Sequence, residues 1–335
     1  MLTFNLEEKR LQREIRRRGA RRVLIQLPEG LKSQGVHLAA VAEEAGATAI
    51  ISADPCYGAC DLALGGAKDL DVDLIVHYGH SKMLRQRQVP TVYIEAKARI
   101  SVREAVEKAI PYLKHWKKIG LITTVQHVHK LNEARDALLK AQKMVAIGDA
   151  GRMKYAGQVT GCDYTNANAI SRDVEAFLFV GGGRFHALGA TLATGKPTVV
   201  ADPYEGRAYT IEDEARRVLR QRWASIHEAE KAEAFGVLIG LKVGQRNLAE
   251  AMKIKRMLED YDRKVVLLAL REITPEALVQ FPNIEAFVNT ACPRVSLDDA
   301  SRFPKPVLIP IETQVMLKRM SWEELCRKGW FGSLT

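Results

Sequence analysis

Cysteines are the residues of this chain best suited to redox or metal chemistry. The sequence contains five of them: Cys56, Cys60, Cys162, Cys292 and Cys326. Their odd number and long spacings argue against a disulfide framework, and their spread excludes a local zinc finger, which takes its ligands in closely spaced pairs.

Cys60, Cys162 and Cys292 each lie in a predicted loop, at spacings of 102 and 130 residues. If these loops converge, three thiolates could hold an iron–sulfur cluster with one iron left open. They could equally hold a catalytic zinc with one open position. Three unrelated buried cysteines are the alternative, because free cysteine is commonly buried.

The other two cysteines have weaker motifs. Cys56 and Cys60 form a CxxxC, but the third cysteine of the CxxxCxxC loop of ordinary radical S-adenosylmethionine enzymes would fall at Ala63. That local motif is therefore absent. Cys326 lies in an amphipathic segment, Trp322 to Arg327, where a packing role is predicted.

Three loops that follow apolar runs carry further candidates. They cover residues 77–81, 181–186 and 289–294, and they contain the histidines His77, His80 and His186. These side chains suit acid–base chemistry, ligand contacts or structural hydrogen bonds. The triplet Gly181–Gly183 would let a ligand approach the backbone or form a tight turn. It is not a dinucleotide-binding GxGxxG, since it does not follow a first strand, and no P-loop is present.

A threefold repeat is predicted to position these loops. A proline followed by a short apolar strand occurs at Pro90, Pro197 and Pro306, at spacings of 107 and 109 residues. Proline suits the first residue of a strand because it has no N–H to donate. Each proline is preceded by three apolar strand-like runs, with a helical stretch between the first two. The predicted strands begin near residues 22, 48, 73 and 90, then 119, 144, 176 and 197, then 236, 264, 286 and 306.

Strands that alternate with helices indicate parallel α/β structure. We therefore predict three small α/β domains, each a roughly four-stranded parallel sheet flanked by helices. The predicted domains are 1–100 with Cys60, 101–210 with Cys162 and 211–335 with Cys292. One large doubly wound sheet is the alternative.

The composition places the chain among ordinary globular proteins. Of its 335 residues 47% are hydrophobic and 27% charged. There is no long apolar run of membrane-spanning length, and the charged N-terminus lacks the apolar core of a signal peptide, so a cytoplasmic protein is predicted. The net charge of +10 would suit an anionic partner, although a generally basic surface explains it as well. No nucleic-acid-binding motif is recognisable, so direct binding to nucleic acid is not expected.

Three cysteine segments resemble those of the diphthamide synthase family, the 2-(3-amino-3-carboxypropyl)histidine synthases. The segments cover residues 54–61, 161–163 and 289–294, and the likeness extends to residues 26–31 and the glycine triplet. The compact length is similar to the archaeal form, which acts as a homodimer.

The resemblance implies a radical enzyme of an unusual kind. Cys60, Cys162 and Cys292 would bind a [4Fe–4S] cluster, and the unligated iron would bind S-adenosylmethionine as substrate. An electron from a donor would release a 3-amino-3-carboxypropyl radical and methylthioadenosine. The fragment would then join imidazole C2 of a histidine in translation elongation factor 2, in the first step of diphthamide synthesis.

The loop positions suggest which residues would grip the S-adenosylmethionine. We expect Gly181, Gly182 and Gly183, together with Arg184, His80 and His186, to contact its carboxylate or its adenosine. Two other readings of the same residues remain open at this point. One is a zinc-dependent or redox enzyme that uses the same three cysteines, and the other is a nucleotide-binding regulatory module.

Overall fold

The computed structural model describes residues 3–331. Within this range the strands form three larger sheets, of four, five and four strands, and one two-stranded sheet. Neighbouring strands of the larger sheets run parallel except at one edge. The predicted parallel α/β fold is therefore confirmed, and the single large sheet is not found. The exact domain boundaries stay a prediction.

The first sheet has the order β3-β2-β4-β5. Its central strand β4 is buried along its whole length, as expected for a parallel sheet covered by helices on both faces. The elements of this part of the chain are β1 (Phe4–Asn5), α1 (Glu8–Arg18), β2 (Arg22–Gln26), α2 (Gly35–Glu43), β3 (Thr48–Ser52), α3 (Leu64–Asp69), β4 (Leu74–Tyr78), β5 (Thr91–Ile94) and β6 (Lys97–Ala98). The small sheet pairs β1 with β6 in antiparallel fashion.

The second sheet has the order β11-β10-β9-β7-β8. Its elements are α4 (Arg103–Ala109), β7 (Lys118–Thr123), α5 (Leu131–Lys140), β8 (Met144–Ala146), α6 (Thr165–Ile170), β9 (Ala176–Val180), α7 (Phe185–Thr194), β10 (Thr198–Asp202) and β11 (Arg207–Thr210). The edge strand β11 runs antiparallel to β10 and was not predicted. No residue of β11 is fully buried, so this strand lacks the continuous apolar run that marks the others.

The third sheet has the order β13-β12-β14-β15. Its elements are α8 (Glu212–Ala229), β12 (Ala234–Gly240), α9 (Leu248–Glu259), β13 (Lys264–Leu270), α10 (Pro275–Leu278), β14 (Ala286–Asn289), α11 (Pro293–Asp298), β15 (Val307–Leu308), α12 (Pro310–Met316) and α13 (Trp322–Lys328). Within residues 3–331, no helix is both long enough and apolar enough to cross a membrane.

The apolar core links the second and third sheets more closely than the first. One buried cluster contains Phe179 of β9 together with Phe235 of β12. The first sheet packs a separate cluster that includes Ile25 and Val76. The contacts between the first sheet and the rest therefore depend strongly on loops, and one of those loops carries Cys60.

Candidate functional site

Cys60, Cys162 and Cys292 open onto one cleft of about 660 Å³. Each lies beyond the carboxyl end of a strand, where parallel sheets collect ligands. Cys60 lies in the loop between β3 and α3, Cys162 between β8 and α6, and Cys292 directly before α11. The fold thus brings one thiol from the region of each large sheet to a common cavity.

The Cys60 loop is docked on the loop that follows β12. The backbone N–H of Gly244 donates to the carbonyl oxygen of Cys60 at 2.8 Å. The side-chain amide of Gln245 donates to the Cys60 sulfur at 3.6 Å. A Cβ on Gly244 would lie 2.6 Å from the Cys60 Cα, so only glycine allows this approach.

Lys242 reinforces the same contact through charge. Its ammonium lies 3.1 Å from a carboxylate oxygen of Asp61 and 2.8 Å from one of Glu272. It also lies 4.0 Å from the centre of the Tyr57 ring. The Lys242 and Asp61 side chains are only 6% and 14% exposed, so the ion pair between the Cys60 loop and the loop after β12 is largely shielded from water.

Cys292 receives two hydrogen bonds that favour its thiolate. The backbone N–H groups of Arg294 and Val295 donate to its sulfur, which opposes the effect of burial on the pKa of this thiol. Its carbonyl oxygen accepts from the side-chain amide of Asn289 at 2.7 Å. Cys162 follows Gly161, where a Cβ would lie 2.6 Å from the Phe185 ring. Close packing therefore fixes the backbone at both cysteines.

The electrostatics of the three thiols favour a bound cation. Burial raises the pKa of Cys60 and Cys292, and it raises the pKa of Cys162 to about 12. Negative charge on Cys292 and Cys60 contributes to this rise for Cys162. Three thiolates in this cleft would repel one another unless they shared a positive ion, so the donor set fits a metal centre.

The spacing favours a cluster over a single zinc ion. Among residues 3–331, the cysteine and histidine ligand atoms that lie within 4.8 Å of one another belong to a different group, Cys56, His77 and His80. Thiolates that share one tetrahedral zinc lie only about 3.8 Å apart, given zinc–sulfur bonds of about 2.3 Å. The three cleft cysteines do not form such a group among these residues, so at least one pair of their sulfur atoms lies more than 4.8 Å apart, a separation that suits a larger iron–sulfur cluster better than one zinc ion.

Two of the predicted histidines line the cleft. Burial lowers the pKa of His80 to about 4 and that of His186 to about 3, with Arg294 and His80 adding to the shift of His186. Both rings are therefore neutral at physiological pH and can offer a lone pair as well as an N–H. The His186 ring stacks on Phe179, with 5.7 Å between ring centres.

The glycine triplet and Arg184 lie outside the residues that line the cleft. The Gly183 N–H donates to Asp202 at 3.0 Å. Arg184 is largely exposed and pairs with Glu214 at 3.2 Å. Their predicted contact with S-adenosylmethionine stays a prediction, and the geometry gives it no direct support.

Several cleft residues were not among the predicted site residues. Lys242 and Gln245 follow β12, and their position beyond a strand end was the signal that could have found them. Arg294 lies in the segment 289–294 that contains Cys292, and its guanidinium lies 3.7 Å from the centre of the Phe185 ring. Cys326, by contrast, lies on α13 and packs against the core, as predicted.

Comparisons with known proteins identify the family of the chain. The sequence model of the diphthamide synthesis protein family matches residues 27–326. A Pyrococcus horikoshii protein named 2-(3-amino-3-carboxypropyl)histidine synthase is 40% identical over 318 residues, covering 94% of this chain and 91% of the relative. The Schizosaccharomyces pombe 2-(3-amino-3-carboxypropyl)histidine synthase subunit 1 is 31% identical over 333 residues, covering 96% of this chain and 76% of the relative.

A solved structure extends the likeness to the whole fold. The crystal structure of Dph2 from Pyrococcus horikoshii with a 4Fe-4S cluster superposes with a TM-score of 0.88 at 37% identity. The match covers 99% of this chain and 96% of that one. With the family match and the shared fold, the chain belongs to the diphthamide synthesis protein family.

Proposed function

We propose that this chain is a 2-(3-amino-3-carboxypropyl)histidine synthase that uses a [4Fe–4S] cluster and S-adenosylmethionine. The observation that carries the proposal is the convergence of three loop cysteines on one cleft. Relatives that share nearly the whole chain bear this enzyme name, and a structural neighbour contains the 4Fe-4S cluster.

Cys60, Cys162 and Cys292 are the proposed cluster ligands. When bound, the cluster supplies the electron that cleaves the bond between the sulfonium sulfur and the methionine γ-carbon. Among residues 3–331, these three are the cysteines that line the cleft, so the protein would supply three thiolates to the four irons of the cluster. An open coordination position toward the substrate would then remain.

The cleft itself suits the binding of S-adenosylmethionine. Its volume lies within the range of about 300–1,000 Å³ typical of small-molecule sites. His80 and His186 contribute neutral polar rings. The Arg294 guanidinium is fixed by the Phe185 carbonyl at 2.8 Å and by an ion pair with Asp298 at 2.6 Å, which leaves its Nη1 without a hydrogen-bond partner. We assign Arg294 to the methionine carboxylate, because a fixed guanidinium matches a carboxylate in charge and geometry.

The partners follow from the proposed reaction. The protein substrate is translation elongation factor 2, whose histidine receives the 3-amino-3-carboxypropyl group in diphthamide synthesis. A separate electron donor has to reduce the cluster, and the active form is a homodimer. The reducing cytoplasm suits such a protein, because exposed thiols persist there without forming disulfides.

Direct transfer of the group tests the proposal. Anaerobically reconstituted protein is incubated with reductant, elongation factor 2 and S-adenosylmethionine labelled in its aminocarboxypropyl group. We expect label on one histidine of the elongation factor and methylthioadenosine as the nucleoside product. Absence of label, or predominant 5′-deoxyadenosine, would reject the proposed reaction.

A further inference from the structure

A second group of metal-type ligands lies beside the Cys60 loop. Cys56 belongs to that loop, His77 is in β4, and His80 follows β4. One ligand atom of each residue lies within 4.8 Å of the other two. Cys56 and His77 are fully buried, and His80 is partly buried at the cleft wall.

Hydrogen bonds around Gln26 fix the protonation of the His77 ring. The Gln26 side chain donates to the Asp61 carbonyl at 2.6 Å and accepts from the Ala63 N–H at 3.1 Å, which identifies its amide nitrogen and oxygen. The same oxygen lies 2.9 Å from Nδ1 of His77, so Nδ1 has to carry the proton. The neutral ring then has its lone pair at Nε2, where it accepts a hydrogen bond from the Nδ1–H of His80.

That lone pair points toward the other members of the group. Nε2 of His77 lies 2.9 Å from Nδ1 of His80. A metal-binding histidine typically donates its remote N–H to an oxygen that orients the ring, and Gln26 provides that arrangement here. The His77 ring therefore already has the tautomer and the orientation that binding of a cation at Nε2 requires.

We propose that Cys56, His77 and His80 form a second metal site that binds one zinc ion, distinct from the three-cysteine centre. One thiolate and two imidazole nitrogens are a ligand set that zinc prefers. Nitrogens that share a tetrahedral zinc lie about 3.3 Å apart, so the two rings need to separate by only about 0.4 Å. Binding releases the Cys56 thiol proton to solvent and shifts the His80 proton from Nδ1 to Nε2.

The position of the site gives the ion a structural role. It would tie the loop that carries Cys60 to the end of β4, four residues from Cys60 itself. His80 borders the cleft, so a water molecule from the cleft can take the fourth coordination position. The contacts of Gly244, Gln245 and Lys242 hold the Cys60 loop independently of this ion, so loss of zinc alone should leave the iron bound.

Metal analysis of the full-length, cluster-loaded protein tests this site. The protein is equilibrated with zinc chloride, desalted and analysed for iron and zinc, as wild type, Cys56→Ala, Cys56→Ser and Cys326→Ala. We expect about one zinc per chain, beyond roughly four iron atoms, in wild type and in Cys326→Ala. Both Cys56 variants should keep their iron and lose zinc affinity at least 10-fold.

X-ray absorption at the zinc edge identifies the ligands. One sulfur at about 2.3 Å with nitrogen or oxygen ligands at about 2.0–2.1 Å supports the proposal. Three sulfur ligands would place the zinc in the three-cysteine centre and overturn it. Unchanged zinc in the Cys56 variants, no zinc in wild type, or a joint loss of zinc and iron in both Cys56 variants would also overturn it.

Discussion

The three cleft cysteines differ from Cys326 in what surrounds them. Each cleft thiol faces the same cavity, whereas Cys326 packs on α13. We predict that single alanine changes at Cys60, Cys162 and Cys292 each weaken cluster retention at least about 10-fold, since even loss of an outer partner commonly costs that much. Cys326→Ala should retain normal iron, measured by iron and sulfide analysis of anaerobic protein. Equal iron loss in Cys326→Ala would show that the assay reports folding rather than ligation.

His127 is a buried histidine that makes folding sensitive to acid. Burial lowers the pKa of His127 to about 4, with the positive charges of His129 and Lys130 adding to this shift and Asp202 opposing it. Below pH 6.5, the ordinary pKa of histidine, His127 is protonated in the unfolded chain but stays largely neutral in the folded chain until the pH approaches 4. The free energy of unfolding is therefore unaffected by His127 above about pH 6.5, falls by at most about 1.4 kcal/mol per pH unit as the pH drops below that value, and loses no more below the folded-state pKa of about 4.

Replacement of His127 by leucine should reduce this sensitivity. Neither ring nitrogen of His127 has a hydrogen-bond partner, and the ring packs edge-on against Tyr204 at 5.3 Å, so an apolar side chain is tolerated there. We expect His127→Leu to narrow the difference in melting temperature between pH 7.5 and pH 5.5 in cluster-free protein. The exposed His115→Leu serves as the control. If both variants behave alike, another group governs the acid response.

At the scale of elements, the Cys60 loop depends on its contact with the loop after β12. In Gly244→Ala the new Cβ would meet the Cys60 Cα at 2.6 Å and its carbonyl oxygen at 2.8 Å, whereas carbon atoms pack at about 3.5–4.0 Å. The backbone has to move, at a cost of about 1–3 kcal/mol. We expect reduced iron loading and a changed electron paramagnetic resonance spectrum of the reduced cluster.

Gly66→Ala is the matched control for that change. Gly66 is an exposed residue of α3, and a Cβ there meets nothing within 4 Å. Alanine in a helix is more stable than glycine by about 0.5–1 kcal/mol, so this variant should load iron normally. Normal iron in Gly244→Ala would mean that the docking contact is not needed to position Cys60.

A buried ion pair holds the helix that follows Cys292. Arg222 of α8 pairs with Glu312 of α12 at 2.6 Å, and both side chains are fully buried. Arg222 also donates to the carbonyl of Ser296 in α11 at 2.7 Å. We predict that Arg222→Met lowers the free energy of unfolding by about 3–5 kcal/mol, because Glu312 is left as an uncompensated buried charge.

A double variant distinguishes the effect of losing the ion pair on stability from the effect of leaving one buried charge unpaired. Arg222→Met with Glu312→Met removes both charges and should recover much of the stability lost in the single variant, measured by urea denaturation. If the double variant is no more stable than Arg222→Met, the cost comes from lost packing and lost carbonyl contacts instead.

The sequence pattern predicted a strand well where every residue of that strand is buried. The strands β4, β9 and β10 are buried throughout and mostly apolar, and they were found close to their actual bounds. β11 was missed because its sequence, Arg-Ala-Tyr-Thr, reflects an edge position that only its pairing with β10 creates. The helical stretch predicted between the first two strands is α2, which begins at Gly35 after a 3₁₀ turn over Glu29–Gln34.

The site was less predictable than the elements. The three cysteines were predicted from local sequence segments and from the resemblance of those segments to a family. That prediction did not depend on how the chain packs. The group of Cys56, His77 and His80 was not predicted, because it depends on a loop folding back over β4. The glycine triplet follows β9 as the pattern predicted but does not line the cleft, whereas Phe185 and His186 just after it do.

At the scale of the whole molecule, the proposed cluster would join three sheets that otherwise meet through loops. A ligand that binds only the folded state stabilises it, and the gain is greatest where the ligand restrains mobile segments. The loops over residues 53–63, 147–164 and 290–292 all reach the cleft and have no strand partners of their own apart from one bridge at Gln158.

Amide hydrogen exchange can therefore test the arrangement as a whole. We predict that peptides covering all three cysteine loops exchange several-fold more slowly in cluster-loaded than in cluster-free protein, measured anaerobically by mass spectrometry. Peptides from α9 should exchange equally in both states, because α9 does not line the cleft. Protection confined to one or two loops would contradict a cluster shared by all three, since a common ligand has to restrain each segment that supplies a thiolate.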